Sequence, residues 1–259
     1  MHALITGASE GIGREFAEVF AADGHPLVLT ARNAERLETL AESLRRRRKV
    51  AVKIIPKDLA EPRAPAELFD ELRDVPISML VNNAGFGVYG RFAETDLQQE
   101  LQMLQVNLLA LVALTKVFLK PMLQRRAGKI LNVASTASFQ PGPWLSLYYA
   151  SKAAVLSFSC ALAIELRSSG VTVTTLCPGG TKSEFQKRAA MEQSRLFNSP
   201  LFKQMTARSV AEIGYSAMMR GRPVVVAGWK NKLITTVTKR MPDIWAGRLA
   251  ERVNQKRAS

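Results

Sequence analysis

Short apolar runs alternate with longer stretches of helical periodicity through most of the chain. The runs Ala3–Thr6, Pro26–Ala31, Val50–Ile55, Ser78–Asn82, Lys129–Ala134, Val171–Cys177 and Pro223–Ala227 read as strands. Several are continuous rather than alternating, the pattern of parallel strands covered on both faces. Between them, apolar residues recur at helical spacing near Gly11–Ala22, Ala34–Arg47, Ala64–Arg73, Asp96–Arg125, Tyr148–Ser169 and Val210–Met219. This alternation predicts βαβ units, hence an α/β fold built on one doubly wound parallel sheet. Pro141-Gly142-Pro143 and Pro178-Gly179-Gly180 read as loops after strands. Such sheets bind ligands at the carboxyl ends of their strands, and the candidate chemistry falls there.

Thr6-Gly7-Ala8-Ser9-Glu10-Gly11-Ile12-Gly13 joins the first strand to the first helix. Glycines at 7, 11 and 13 let the backbone turn sharply and approach a pyrophosphate at the helix N-terminus. The spacing is GxxxGxG rather than GxGxxG. The second strand ends Leu29-Thr30-Ala31-Arg32, without an acidic residue to hold a ribose 2′-hydroxyl. An arginine there accommodates a 2′-phosphate, so NADP(H) is favoured over NAD(H). Glu10 opposes that preference by like charge. Asp58, followed by Leu59, stands where it could accept from an adenine amino group. Asn82-Asn83-Ala84-Gly85 closes the fourth strand with small residues that allow close approach to a cofactor.

Tyr148 and Lys152 share a helix face at i, i+4, and Ser135 ends the fifth strand. A phenol ordinarily titrates near ~10. A neighbouring ammonium is expected to lower that value and tune a general acid/base. Ser135 could steady the negative charge developing on a carbonyl oxygen. Asn107 reads either as part of a water-mediated proton path to Lys152 or as a satisfied buried amide. Tyr149 lies three residues from Lys152, and spacing alone does not exclude it as the acid/base.

At 259 residues, with 47% hydrophobic and 22% charged residues, the chain can bury one α/β core. Met1-His2 runs straight into apolar sequence, so no secretory leader is expected. The longest unbroken apolar run, Leu108–Leu114, is too short to span a bilayer. Cys160 and Cys177 suggest neither a metal site nor a redox pair, and a reduced, cytoplasmic protein follows. Net charge is +14, unevenly placed. Residues 1–180 hold 20 Lys/Arg against 17 Asp/Glu, whereas residues 181–259 hold 16 against 5. That last third should attract anions: a phosphorylated cofactor, an acidic carrier protein or anionic lipid. No recognition motif accompanies the charge, which argues against nucleic acid.

In these motifs the chain resembles the classical short-chain dehydrogenase/reductase family over roughly residues 3–228. The matching set is Thr6–Gly13, Asn82–Gly85, Asn107, Ser135, Tyr148-x-x-x-Lys152 and Pro178-Gly179. The resemblance implies a single Rossmann-type domain with seven strands in the order 3-2-1-4-5-6-7. It implies a catalytic tetrad of Asn107, Ser135, Tyr148 and Lys152, with Tyr148 rather than Tyr149 as acid/base. Cofactor contacts are expected from Gly7, Ser9, Glu10, Gly11, Ile12, Gly13, Arg32, Asp58, Leu59, Asn83, Ala84, Gly85, Tyr148, Lys152, Pro178, Gly179 and Thr181. It further implies a homodimer or homotetramer through the long helices around Asp96–Arg125 and Tyr148–Ser169. Asn82–Gly87 and Glu184-Phe185 look most like bacterial reductases related to ketoacyl and hydroxysteroid reductases.

These expectations give an NADP(H)-dependent oxidoreductase acting on a small apolar carbonyl or alcohol substrate, needing no metal. The alternatives are a 3-oxoacyl-carrier reductase docking an acidic carrier, and a non-catalytic nucleotide-sensing protein. Substrate selection should fall to loops bearing Phe86, Phe139, Trp144, Leu147, Phe185 and Phe197, with residues 182–205 as the main substrate loop. The domain is expected to span residues 1–228, followed by a basic extension, 229–259. Apolar spacing across Lys230–Arg252 suits an amphipathic helix interrupted near Pro242. It could pack on a partner subunit or rest on a membrane.

Overall fold

A computed structural model describes residues 1–182 and 204–255. Seven parallel strands form the main sheet: β1 His2–Thr6, β2 Leu27–Thr30, β3 Val52–Ile54, β4 Ile77–Asn82, β5 Gly128–Val133, β6 Val171–Cys177 and β7 Val224–Val226. Their order is β3-β2-β1-β4-β5-β6-β7, the Rossmann-type arrangement. Outside it, a two-residue parallel ladder pairs Thr181–Lys182 with Met205–Thr206.

Successive side chains of a strand point to opposite faces, and both faces here are covered. Ala3, Ile5, Leu27, Leu29, Val81 and Leu131 pack with α1 (Gly11–Ala22), α2 (Ala34–Arg48) and, later in the chain, α7 (Ala207–Met219), burying Phe16, Phe20, Leu37, Leu44 and Met218. The intervening residues Leu4, Val28, Leu80 and Ile130 face α3 (Ala64–Glu71), α5 (Leu111–Gln124) and α6 (Ser146–Glu165). The core is therefore two apolar layers divided by the sheet, with strand residues of alternate parity feeding each.

The long helix expected over Asp96–Arg125 is divided. α4, Leu97–Leu104, runs into a π-helical turn at Gln105–Ala110 before α5 begins. By length and composition Leu97–Gln124 and Ser146–Glu165 would each pass for a membrane span, which the short run Leu108–Leu114 did not foretell. Part of their apolar character serves the second core layer, through Ala110, Leu114, Phe118, Met122 and Leu162, while Leu97, Leu101, Leu109, Leu123 and Ile164 are exposed. Pro242 interrupts the tail as expected, leaving α8 at Trp229–Thr238 and α9 at Asp243–Asn254.

A buried polar thread crosses the second layer. Asn82 Nδ2 donates to Thr115 Oγ1 at 3.0 Å and to Asn132 Oδ1 at 2.9 Å, and Asn132 Nδ2 donates to Ser159 Oγ at 2.9 Å. It ties β4 and β5 to α5 and α6, fixing the helix that carries the tyrosine–lysine pair. Asn132→Ala should lower stability by about 1–3 kcal/mol, since it strips buried partners from Asn82 and Ser159. Urea unfolding monitored by circular dichroism would measure this, and an unchanged midpoint would refute the assigned role.

Candidate active site

The loop after β1 approaches the rest of the protein so closely that side chains are excluded. A Cβ on Gly13 would lie 2.1 Å from the Gly7 carbonyl oxygen, and one on Gly7 would lie 2.9 Å from Ala84 Cα. Gly7 and Gly11 have φ of 65° and 54°, in the left-handed region. Thr6 holds the approach in place. Its hydroxyl accepts from the backbone N–H of Asn83 and of Ala84, each at 3.0 Å, while Asn83 Nδ2 donates to the Thr6 carbonyl at 2.9 Å. α1 starts with no side-chain cap, so its first turn offers backbone donors to a ligand.

Arg32 is exposed on the cavity wall, with Nη1 3.9 Å from Asp58 Oδ2. Asp58 Oδ1 accepts from the Ala60 N–H at 3.0 Å. Glu10 does not stand as an isolated anion in the glycine loop. Arg36 Nη1 donates to its Oε2 at 2.6 Å, drawing a second guanidinium from the first turn of α2. The like-charge objection to a phosphate is thereby reduced by a contact that sequence spacing did not suggest.

At the other end, α6 presents Tyr148, Tyr149 and Lys152. Ser138 Oγ donates to the Lys152 carbonyl at 2.7 Å, tying the second turn of α6 to the segment after β5. Just before α6, Trp144 holds φ at 71° while stacked on Tyr89, with ring centroids 5.9 Å apart. That is an uncommon conformation for a bulky residue, and it is maintained by the surrounding contacts. Ser135 ends β5 as the cap of a short 3₁₀ turn, its Oγ accepting from Ala137 N at 3.1 Å. Its hydroxyl also hydrogen-bonds Tyr148. Lys152 is buried, with Nζ 2.9 Å from the Val133 carbonyl and 6.0 Å from the Tyr148 ring centre.

Electrostatics depart from the sequence expectation. Burial pushes the Tyr148 phenol up to about 12, opposed only in part by Ser135. Burial likewise lowers Lys152 to about 8. Desolvation of both groups outweighs the mutual stabilisation expected from the pair. The consequence is a phenol that keeps its proton at neutral pH, suited to donating it.

Asn107 falls in the π turn, a type of irregularity frequent at functional sites. Its side chain is a satisfied buried amide: Oδ1 accepts from Phe86 N at 3.0 Å and Nδ2 donates to Phe86 O at 2.9 Å and to Ser151 Oγ at 3.3 Å. It sets the loop after β4, where Gly85 separates it from Lys152. A Cβ on Gly85 would come within 2.9 Å of Asn107 Oδ1 and 3.3 Å of Lys152 Nζ.

One cavity of about 680 Å³ joins the two ends. It is lined by Gly7, Ser9, Glu10, Gly11, Ile12, Arg32, Asp58, Leu59, Asn83, Ala84, Gly85, Ser135, Tyr148, Lys152, Pro178, Gly179 and Thr181. Gly13 and Asn107 stand behind this wall as supports. Of the expected apolar lining only Phe86 is present among the described residues. Trp144 instead packs on Tyr89, the Phe139 ring centre lies 4.2 Å from Lys239 Nζ, and Leu147 is absent from the wall. Phe185 and Phe197, with most of loop 182–205, lie outside the described residues.

The tail supplies the apolar wall that the sequence assigned elsewhere. Ile234, Thr235 and Thr238 from α8 and Leu249, Ala250 and Val253 from α9 line the cavity. α9 is latched by Asn254, fully buried, whose Nδ2 donates to Pro143 O at 2.9 Å. Tyr149 OH donates to Asn254 Oδ1 at 3.3 Å and Tyr89 OH to the Asn254 carbonyl at 2.9 Å. Tyr149 also lines the cavity, but its hydroxyl is engaged by the tail, whereas Ser135 bonds Tyr148. Nothing local in the tail announces this role; only the isolated Asn254 at the end of an amphipathic stretch hints at it.

A family model for short chain dehydrogenase matches residues 1–194. Hydroxysteroid dehydrogenase-like protein 1 of Gallus gallus is 31% identical over 94% of this chain and 73% of its own length. A very-long-chain 3-oxoacyl-CoA reductase of Anas platyrhynchos is 29% identical over 91% of this chain and 76% of its own. A solved short-chain dehydrogenase from Sphingobium yanoikuyae, in complex with NADPH, superposes with a TM-score of 0.82 at 31% identity. That alignment covers 93% of this chain and 96% of the other.

Two outcomes follow from this geometry. The folded pKa of Lys152 lies below its unfolded value of 10.5, so the unfolded chain binds more protons between about 8 and 10.5. Stability therefore rises with pH through that window, and the full cost of burying the ammonium is borne below it. Lys152→Met should raise Tm at pH 7, by an amount that shrinks toward pH 10; a Tm difference independent of pH would contradict this. Asn254→Ala should loosen α9 and raise KM roughly 10-fold or more, with a smaller effect on kcat, because it perturbs wall rather than chemistry. Steady-state kinetics separate the two.

Proposed function

The chain belongs to the short chain dehydrogenase family, and on its site geometry we propose an NADP(H)-dependent oxidoreductase that interconverts a carbonyl and an alcohol on an apolar substrate. The observation that carries this is the meeting of Ser135, Tyr148 and Lys152 in the same cavity onto which the glycine loop opens. The residues at the nucleotide end fit a dinucleotide. A backbone too tightly packed for Cβ atoms, an uncapped helix N-terminus and an arginine after β2 are what a pyrophosphate and a 2′-phosphate require. Arg36, neutralising Glu10, favours the phosphorylated dinucleotide.

A nicotinamide dinucleotide held by the glycine loop, Arg32 and Lys152 would supply hydride to the carbonyl carbon. The Tyr148 hydroxyl gives its proton to the carbonyl oxygen, and Ser135 donates a hydrogen bond to that oxygen as charge develops. The Lys152 ammonium stabilises the phenolate left behind. Asn107 positions the loop over the site through Phe86. We assign residues 1–228 to the catalytic domain and 229–259 to an extension whose helices complete the substrate wall. A homo-oligomer would use the outer faces of the π turn, α5 and α6, where Leu109, Leu123 and Ile164 are exposed. A second reading, a 3-oxoacyl thioester reductase, draws support from the reductase relative described above and from the apolar wall at Ile234, Leu249 and Val253.

Titration with NADPH, followed by nucleotide fluorescence, should show saturable binding, and its absence would falsify the proposal. Tyr148→Phe should cut turnover by about 10²–10⁴-fold while leaving NADPH affinity nearly intact. Arg32→Asp should lower the NADPH-to-NADH ratio of kcat/KM by about 10- to 100-fold. A panel of steroid ketones, aldehydes and 3-oxoacyl thioesters, monitored at the NADPH absorbance, distinguishes the two readings.

A further inference from the structure

Two of the three tryptophans in the chain are exposed, and both lie in the tail. Trp229 is 73% exposed and Trp245 60%, with Leu233, Val237 and Ile244 each more than half exposed around them. On α8, Trp229, Leu233 and Val237 recur every four residues and form one stripe. On α9, Ile244 stands one turn before Arg248, and Trp245 one turn before Leu249. Residues 229–255 hold six Lys/Arg against two Asp/Glu, and Lys230, Lys232, Lys239, Arg240, Arg248 and Arg252 are all exposed. Isolated apolar residues on a surface need no explanation, but tryptophans, aliphatics and cations gathered on two consecutive helices do.

The patch is continuous with the cavity. Ile234 and Leu249 are partly exposed and also line the cavity wall. Their helices are 10 and 12 residues long, too short to span a bilayer but long enough to lie on one. A second copy meeting this face about a twofold axis would bring like charges together. An acidic protein would match the cations. An anionic bilayer matches cations and indoles together, with Lys/Arg at the head groups and tryptophan at the acyl boundary.

We propose that α8 and α9 dock the protein on an anionic lipid surface with the cavity mouth beside it, so that a bilayer-dissolved carbonyl compound enters between Ile234 and Leu249. The substrate half of this rests on the oxidoreductase reading; the docking half does not. Full-length protein would be mixed with vesicles of phosphatidylcholine alone or of phosphatidylcholine with phosphatidylglycerol. Sedimentation should carry it down with the anionic vesicles, with blue-shifted tryptophan emission, and release it at high salt. W229S/W245S and K232E/R248E, which spare the cavity wall, should each weaken vesicle binding by about tenfold or more. Reduction of a water-soluble ketone should be unchanged in both.

With a vesicle-borne ketone, anionic lipid should accelerate wild type at least severalfold and neither variant. Wild type that ignores anionic vesicles, or variants that bind them like wild type, would overturn docking. So would a dimer in lipid-free buffer that W229S/W245S dissociates, or an acidic carrier protein bound at this face in place of vesicles. If vesicles bind but even the soluble ketone is not reduced by wild type, the oxidoreductase reading fails and docking stands. If the soluble ketone is reduced but vesicle-borne ketone is not accelerated, delivery from the bilayer fails alone.

Discussion

Where a parallel ladder runs out, the last backbone donors and acceptors of neighbouring strands lose their partners, and burying them unpaired is costly. At the carboxyl ends of β1 and β4 side chains complete the ladder. The Thr6 hydroxyl accepts from two consecutive N–H groups of β4's exit, and the Asn83 amide returns a bond to Thr6. This stitch draws the glycine loop against Ala84 and forces glycine at 7 and 13. It also sets the path of the chain into Gly85 and Phe86, beside Lys152 and Asn107. The nucleotide end and the chemical end therefore share one rigid frame instead of two loops.

That frame places ionisable groups in the inner wall of the cavity, largely shielded by protein. Lys152 is buried with a backbone carbonyl for company, and Tyr148 with a serine hydroxyl. Burial holds the lysine near 8 and the phenol near 12, each displaced toward its neutral form. Such displacements are what a proton-transfer site needs, and they oppose stability. The buried thread from Asn82 through Asn132 to Ser159 and the side-chain clamp of Asn107 on Phe86 hold the surrounding elements in compensation.

The tail has a second role in the same economy of space. Small residues on the inner side of α9, Ala246, Gly247 and Ala250, let the helix lie close, and Gly247 sits against Pro141. Gly179 admits α8 in the same way, for a Cβ there would lie 2.5 Å from Asn231 Nδ2. Asn254 then joins the helix end to Pro143, Tyr149 and Tyr89. A change in the tail is thereby felt one residue from Tyr148.

The sequence by itself determined the strands and the parallel, doubly wound character of their sheet, because continuous apolar runs and helical periodicity record which faces are covered. The strand order came from the family resemblance and is the order observed. The glycine loop and the Tyr148–Lys152 pair were legible because their spacing is local to a turn or a helix, and Ser135 because it ends a predicted strand. What the sequence left open depended on contacts between distant segments. Tyr148 and Tyr149 are both compatible by helical spacing with Lys152, and the preference for Tyr148 came from the family resemblance. In the fold Ser135 bonds Tyr148, while Tyr149 bonds Asn254, 105 residues away. Glu10 read as a repelling charge until α2 brought Arg36 to it. The direction of the Tyr148 shift followed from burial, which sequence separation does not encode. Trp144 and Phe139 looked like pocket walls because they are aromatic and adjacent to the motif, yet α8 and α9 occupy that position. Periodicity reports that a helix has an apolar face; only the packed structure decides what that face meets.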